Sequence, residues 1–290
     1  MREYWLTKEL LQAASIAFVL MTLGLIFLAL WLPKRRWGKF CALVAVAIVF
    51  SIPFRHAYQE MHQQQMVIKQ YQSQLLQARS VFDERCKKAG EKIFRIVEDV
   101  EGILLENVRE RGISSSVLKD PNWPDAALPN EPGQEGYIMS FLLWEHFQDK
   151  RNDRGYLNNV PSDLPGFQFV DVRDPNGVVN RFRLILPEAR EMSKESLRGR
   201  PTRYAVSFQN MTDLGDRALW VAGTTVKVTD SVTGELIAEK TWYAMDPGQG
   251  NTAGERSPWA YAHQCPRHRG WSGALTRYFV DKALKPIKGR

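Results

Sequence analysis

Charged side chains are missing from two long stretches near the N-terminus, Leu10 to Leu32 and Phe40 to Phe54. About 20 apolar residues in a helix are enough to cross a hydrocarbon core about 30 Å thick. We therefore expect two transmembrane helices that anchor the chain in a lipid bilayer. A pair of buried helices in a soluble protein is the alternative, but so apolar a run at the extreme N-terminus is rare in soluble cores.

Basic residues are concentrated in the short loop that would join these two helices. The loop contains Lys34, Arg35, Arg36 and Lys39. Lysine and arginine in short loops keep those loops on the cytoplasmic side of a membrane. The pattern thus predicts that both termini lie outside the cytoplasm, as in a bacterial inner-membrane protein with a periplasmic domain.

Excess charge is lacking in the remainder of the chain. The formal net charge is +7, but residues 1–55 contain 7 Lys and Arg against 2 Asp and Glu. The other residues therefore contain 32 basic and 30 acidic side chains. This balance argues against a nucleic-acid-binding surface, and we expect no nucleic-acid partner.

Proline is absent between Phe54 and Asp120, which favours a helical stem over residues 57–111, with a second helix from about residue 89. Apolar residues recur every seven positions along its first half, at Met61, Ile68, Leu75 and Phe82. This narrow seam is a candidate for self-association as a short coiled coil. Packing of the seam on its own domain is the alternative.

Alternating apolar and polar residues replace the helical spacing in the C-terminal part of the chain. The turn sequences Asp-Pro-Asn-Gly at 174–177 and Asp-Ser-Val-Thr-Gly at 230–234 each predict a β-hairpin. With one further strand, we expect an antiparallel sheet of about five strands flanked by helices. The predicted fold class is a membrane-anchored α+β protein, with an anchor (1–56), a stem (57–111) and an α+β domain (112–290).

Cysteine is scarce, since the chain has only three cysteines, Cys41, Cys86 and Cys265. Cys41 falls inside the second predicted span. If the domain lies outside the cytoplasm, Cys86 and Cys265 can form a disulfide between the stem and the C-terminal region. Two separate buried thiols are the alternative.

No sequence motif names a reaction, and we predict no catalytic residue and no cofactor. The densest group of metal-ligand types is His263, Cys265 and His268. Structural zinc sites usually need four ligands in paired motifs, and a second pair is lacking here. A metal site at these three residues is therefore only the weaker alternative to a disulfide at Cys265.

These observations favour a non-enzymatic, membrane-anchored envelope protein. Its extracytoplasmic α+β domain would bind another protein of unknown identity or form part of an assembly, with possible homo-oligomerisation through the stem. A membrane signalling or effector protein, whose C-terminal domain senses a ligand, is the alternative. An enzyme with an unrecognised site is the third hypothesis.

Overall fold

The structure is a computed structural model that describes residues 20–31, 36–110, 114–142, 166–186, 191–267 and 274–287. The chain forms two compact units, Met1–Tyr71 and Gln72–Arg290. Residues 20–31 are helical. The remaining α-helices are α1 (Arg36–Cys86), α2 (Glu135–Leu142), α3 (Leu214–Ala218) and α4 (Leu275–Ala283).

The strands are mostly short, and all lie in the second unit. They are β1 (Gly90–Ile93), β2 (Val97–Val100), β3 (Gly102–Leu105), β4 (Phe169–Arg173), β5 (Val179–Leu186), β6 (Glu191–Ser196), β7 (Tyr204–Met211), β8 (Val221–Asp230), β9 (Leu236–Met245), β10 (His263–Cys265) and β11 (Leu284–Pro286). The described residues also form short 3-10 helices at Val117–Lys119, Ala253–Glu255 and Pro258–Tyr261.

The predicted pair of membrane spans is wrong, as judged on the residues that the structure describes. None of their helices has both the length and the apolar character needed to cross a bilayer. The helical stretch 20–31 has twelve residues, and residues 10–19 of the first predicted span lie outside the described residues. The second predicted span belongs to α1, where its uncharged run 40–54 would extend about 22 Å at 1.5 Å per residue. The predicted inner-membrane localisation and the predicted orientation of the termini rest on these two spans, so they are wrong as well.

The predicted stem is also wrong beyond Cys86, where α1 ends. Gly90 has a φ of 126°, which favours glycine, and residues 90–105 form the three strands β1 to β3. Ile93 lies on β1, whereas Val97 and Val100 lie on β2. Their spacing along the sequence resembles that of one helix face, but it comes from positions on two separate strands.

A mixed sheet of nine strands replaces the predicted antiparallel sheet of five. Its strand order is β1-β9-β8-β7-β3-β4-β5-β6, and β10 pairs with β9. The two predicted hairpins are present as β4–β5 and β8–β9. However, β3 lies between β4 and β7 and is parallel to both. All four residues of β3 are buried, which is typical of a central strand covered on both faces.

The main hydrophobic core lies between this sheet and helices α2 and α4. Trp242 on β9 meets Phe279 on α4 edge to face, with ring centroids 6.1 Å apart. Tyr137 on α2 makes a similar contact with Phe208 on β7, with ring centroids 6.2 Å apart. These two aromatic pairs pack both helices against one face of the sheet.

The disulfide that joins Cys86 to Cys265 is present in the structure. It links the last residue of α1 to the last residue of β10 across 179 residues, and the two Cα atoms are 5.8 Å apart. The cross-link therefore fixes the end of α1 to the edge of the sheet where β10 pairs with β9.

Candidate functional site

The candidate site is a pocket of about 640 Å³ in the second unit. It lies between the segment that connects β3 to α2 and the middle of β7. We call it the β7 pocket. The described residues that line it are Asn107, Val108, Glu110, Val117, Trp123, Pro124, Asp125, Gln134, Phe208 and Asn210.

One wall of the β7 pocket is positioned by the Asn107 side chain, which forms the two backbone hydrogen bonds that a neighbouring strand would form. The Asn107 side-chain amide donates to the Phe208 carbonyl oxygen at 2.7 Å, and its oxygen accepts from the Phe208 N–H at 3.0 Å. The Glu106 N–H donates to the Val206 carbonyl at 3.0 Å just before it. These bonds extend the parallel pairing of β3 and β7 past the end of β3 and fix the backbone that carries Val108.

The opposite wall is held by a second hydrophobic cluster. Trp123 is buried there together with Leu118 and Trp259. The indole N–H of Trp259 donates to the Asp120 carbonyl oxygen at 2.7 Å. This bond anchors the loop before Trp123, so the wall has a fixed position although it has no regular strand.

A buried ion pair adjoins the β7 pocket through Asp125, which is one of the lining residues. The Arg109 side chain is 1% exposed and donates to the Asp125 carboxylate. The same carboxylate oxygen accepts from the Asn210 side-chain amide at 2.8 Å. The Arg109 guanidinium also lies 4.5 Å from the centre of the Phe208 ring, which is a favourable cation–π distance.

A second buried carboxylate, Glu131, caps the N-terminus of α4. It accepts hydrogen bonds from the Leu275 N–H at 2.9 Å and the Thr276 N–H at 3.2 Å. Burial raises the pKa of Glu131, and the positive charge of Arg109 partly offsets this effect. Burial likewise raises the pKa of the Tyr137 phenol. The Glu131 carboxyl group therefore stabilises the docking of α4, and it is buried from solvent.

The predicted seam on α1 divides into two parts. Met61 and Ile68 are 56% and 54% exposed. Leu75 is half-buried, and Phe82 packs against the cluster of Val221 and Met245 in its own unit. The lower end of the seam therefore belongs to the core, and only its first two residues are exposed.

The weaker alternative, a metal site at His263, Cys265 and His268, loses one ligand to the disulfide. His263 is exposed, Cys265 is bonded to Cys86 and so has no thiolate to offer, and His268 lies outside the described residues. Among the residues that the structure describes, no group of three or more His, Cys, Asp and Glu could hold a metal ion.

The basic residues of the predicted loop are only partly described. Lys34 and Arg35 lie outside the described residues, whereas Arg36 begins α1 and Lys39 follows within it.

Sequence reasoning missed the β7 pocket. Arg109 lies in the stretch predicted as the helical stem, and Asp125 and Glu131 lie in a proline-rich stretch of the predicted α+β domain. The available signal was the mixture of these charged residues with Trp123 and two alanines, which is unusual for a solvated loop.

Comparisons of the whole chain gave no relatives. No protein-family model, curated protein or solved structure matches it.

Proposed function

We propose that this chain is a non-enzymatic component of a protein assembly and that it binds a second copy of itself through α1. The observation that carries the proposal is the exposed apolar face formed by Met61 and Ile68, which we call the α1 face. The two side chains are seven residues apart, so they lie on the same side of the helix, and each is more than half exposed.

The charge of this segment suits a second copy as the partner. Residues 57–71 contain one acidic and one basic side chain, Glu60 and Lys69, among many glutamines. Two identical surfaces of this kind meet without net repulsion. Apolar side chains placed at a seven-residue interval are the usual basis of pairing between helices.

The arrangement of the buried charges supports a binding role over a catalytic one. Asp125 is occupied by Arg109 and Asn210, and Glu131 is occupied by the N-terminus of α4. Cys265 is oxidised in the disulfide. Each of these groups has a structural partner that explains why it is there.

The test is sedimentation velocity of the purified full chain and of two charge variants. Ile68→Glu places a carboxylate in the proposed contact and should shift the chain from dimer to monomer. Met66→Glu is the matched control, because Met66 is 57% exposed and lies about 140° away from Met61 around the helix. It should leave the dimer intact. Equal behaviour of both variants, whether dimeric or monomeric, would contradict the proposal.

A further inference from the structure

We propose that two copies of α1 pair in parallel and in register, and that Gln64 sets this arrangement by hydrogen bonding to its counterpart in the second copy. The inference rests on the proposed function, because it assumes that two copies meet through the α1 face. It adds the direction of the pairing, its register and the residue that determines both.

Gln64 lies in the same row of side chains as the α1 face. It follows Met61 by three residues and precedes Ile68 by four, so the three share one side of the helix. Tyr71 follows Ile68 by three residues and extends the row. All four side chains are exposed, with Tyr71 at 39%. The row is therefore an exposed seam that contains one amide group among apolar and aromatic side chains.

The spacing of the row defines the type of contact. Intervals of three and four residues alternate along it, as in coiled coils whose helices pair through positions a and d of a heptad. Met61 and Ile68 take position a, whereas Gln64 and Tyr71 take position d. In a pair of helices, these side chains would lie between the two helices and away from water.

An antiparallel pair would bury Gln64 against apolar side chains. In that arrangement, a residue at position d of one helix faces a residue at position a of the other. The residues at position a in this part of α1 are Met61, Ile68 and Leu75. None of them offers the strong donor and acceptor that an amide needs, and a buried polar group without a partner is destabilising. Gln64 therefore disfavours antiparallel pairing in each of these registers.

A parallel pair in register gives each glutamine a partner. Residues at equal positions then face each other, so Gln64 meets Gln64 and Ile68 meets Ile68. An amide has both N–H donors and a carbonyl acceptor, so each glutamine can donate to the other. A shift by one heptad would separate the two amides and remove this bond. A single polar residue in an apolar seam fixes the register in this way at a cost in stability.

Oxidative cross-linking of the full chain tests the direction and the register. Each variant carries Cys41→Ser, which removes the free cysteine and leaves the native disulfide in place. In a parallel pair in register, Met61→Cys and Tyr71→Cys each place two thiols opposite each other. Oxidised glutathione should therefore convert most of either variant to a covalent dimer, at a protein concentration that keeps the variant dimeric.

Gln63→Cys is the matched control for cross-linking. Gln63 is exposed, but it lies about 140° from Ile68 around the helix. Its thiols would point away from the contact between the two helices, so this variant should not form a covalent dimer. Equal cross-linking of Met61→Cys and Gln63→Cys would overturn the arrangement, because it would show random collision.

Sedimentation velocity of the same samples separates failure of this inference from failure of the proposed function. A Met61→Cys or Tyr71→Cys chain that is dimeric but forms no covalent dimer would overturn the parallel, in-register arrangement and leave pairing through α1 intact. A wild-type chain that is monomeric would overturn both.

Replacement of Gln64 by leucine tests its role. Gln64→Leu replaces the buried amide pair by an apolar contact and should lower the dissociation constant of the dimer on the order of tenfold. Gln63→Leu lies outside the seam and should leave this constant unchanged. Sedimentation equilibrium of the full chain measures both variants. A dissociation constant of Gln64→Leu that equals or exceeds that of the wild type would overturn the assignment of Gln64 to the seam.

Discussion

Arg109 and Asp125 form an ion pair in which the arginine side chain is 1% exposed and the aspartate side chain 10% exposed. The pair connects the segment after β3 to the loop that carries Trp123, and Asn210 ties it to β7. Three segments of the chain thus meet at one carboxylate. Asp125 also lines the β7 pocket, so the same carboxylate joins these segments and forms part of the pocket wall.

Removal of this carboxylate should strongly destabilise the second unit. Asp125→Asn leaves the Arg109 charge buried without its counter-ion, and breaking a buried pair in this way costs about 3–5 kcal/mol. Denaturant unfolding measures the free energy. The control is Glu239→Gln, which breaks the exposed pair between Glu239 and Lys92 and should have little effect. Similar losses in both variants would contradict the assigned role of Asp125.

The disulfide should stabilise the fold through the length of the loop that it closes. Cys86 and Cys265 are 179 residues apart, for which the chain-entropy model gives about 5 kcal/mol. Cys265→Ser should therefore lower the denaturant midpoint markedly, and a reducing agent should have the same effect on the wild type. Cys41→Ser removes the free cysteine and serves as control. An unchanged midpoint on reduction would show that the cross-link does not contribute to stability.

The buried carboxyl of Glu131 should make stability depend on pH in a defined direction. Burial raises the folded-state pKa of Glu131 above its ordinary value of 4.5, so the folded protein holds this proton more tightly than the unfolded chain does. Its contribution to stability is present below pH 4.5 and is lost as the pH rises through the folded-state pKa. Glu131→Gln cannot titrate, so the stability of the wild type relative to this variant should fall as the pH rises.

Chemical unfolding of both proteins between pH 4 and pH 8 measures this difference. A relative stability of the wild type that increases with pH would mean that the folded state prefers the ionised carboxylate.

The close approach of β3 to β4 should make Gly102 intolerant of a side chain. A Cβ atom at Gly102 would overlap the ring of Phe169, which is itself covered by the Arg181 guanidinium at 3.8 Å. We expect Gly102→Ala to cost about 1–3 kcal/mol, as is usual for overpacking. Gly199→Ala is the control, since no atom lies within 4 Å of a Cβ there. Equal thermal transitions of the two variants would place β3 elsewhere in the sheet.

The sequence predicted the parts of the fold that depend on local pattern. Both hairpins have strong turn sequences, with Gly177 and Gly234 at positive φ as such turns require. The central strand β3 was missed because it is buried on both faces, so it has no alternation of apolar and polar residues. Its partners β4 and β7 are about 65 and 100 residues away, and no local signal predicts so distant a parallel pairing.

The candidate site was missed in the sequence for a related reason. The Asn107 side chain forms strand-like hydrogen bonds only because Phe208 lies beside it in the fold. Arg109 contacts Asp125 only when the loop that carries Asp125 has folded over it. The cysteine pair could be predicted, since two cysteines remained once Cys41 was set aside. The uncharged N-terminal runs predict two spans from composition alone, whereas none of the described helices combines the length and the apolar character that a span needs.

Pairing of two copies through the α1 face is tested most directly by light scattering on the purified full chain over a wide series of concentrations. We expect a molar mass that rises with concentration from 33.3 kDa towards twice that value, and a constant 33.3 kDa for Ile68→Glu. A wild-type chain that stays at 33.3 kDa throughout the series would contradict pairing through this face.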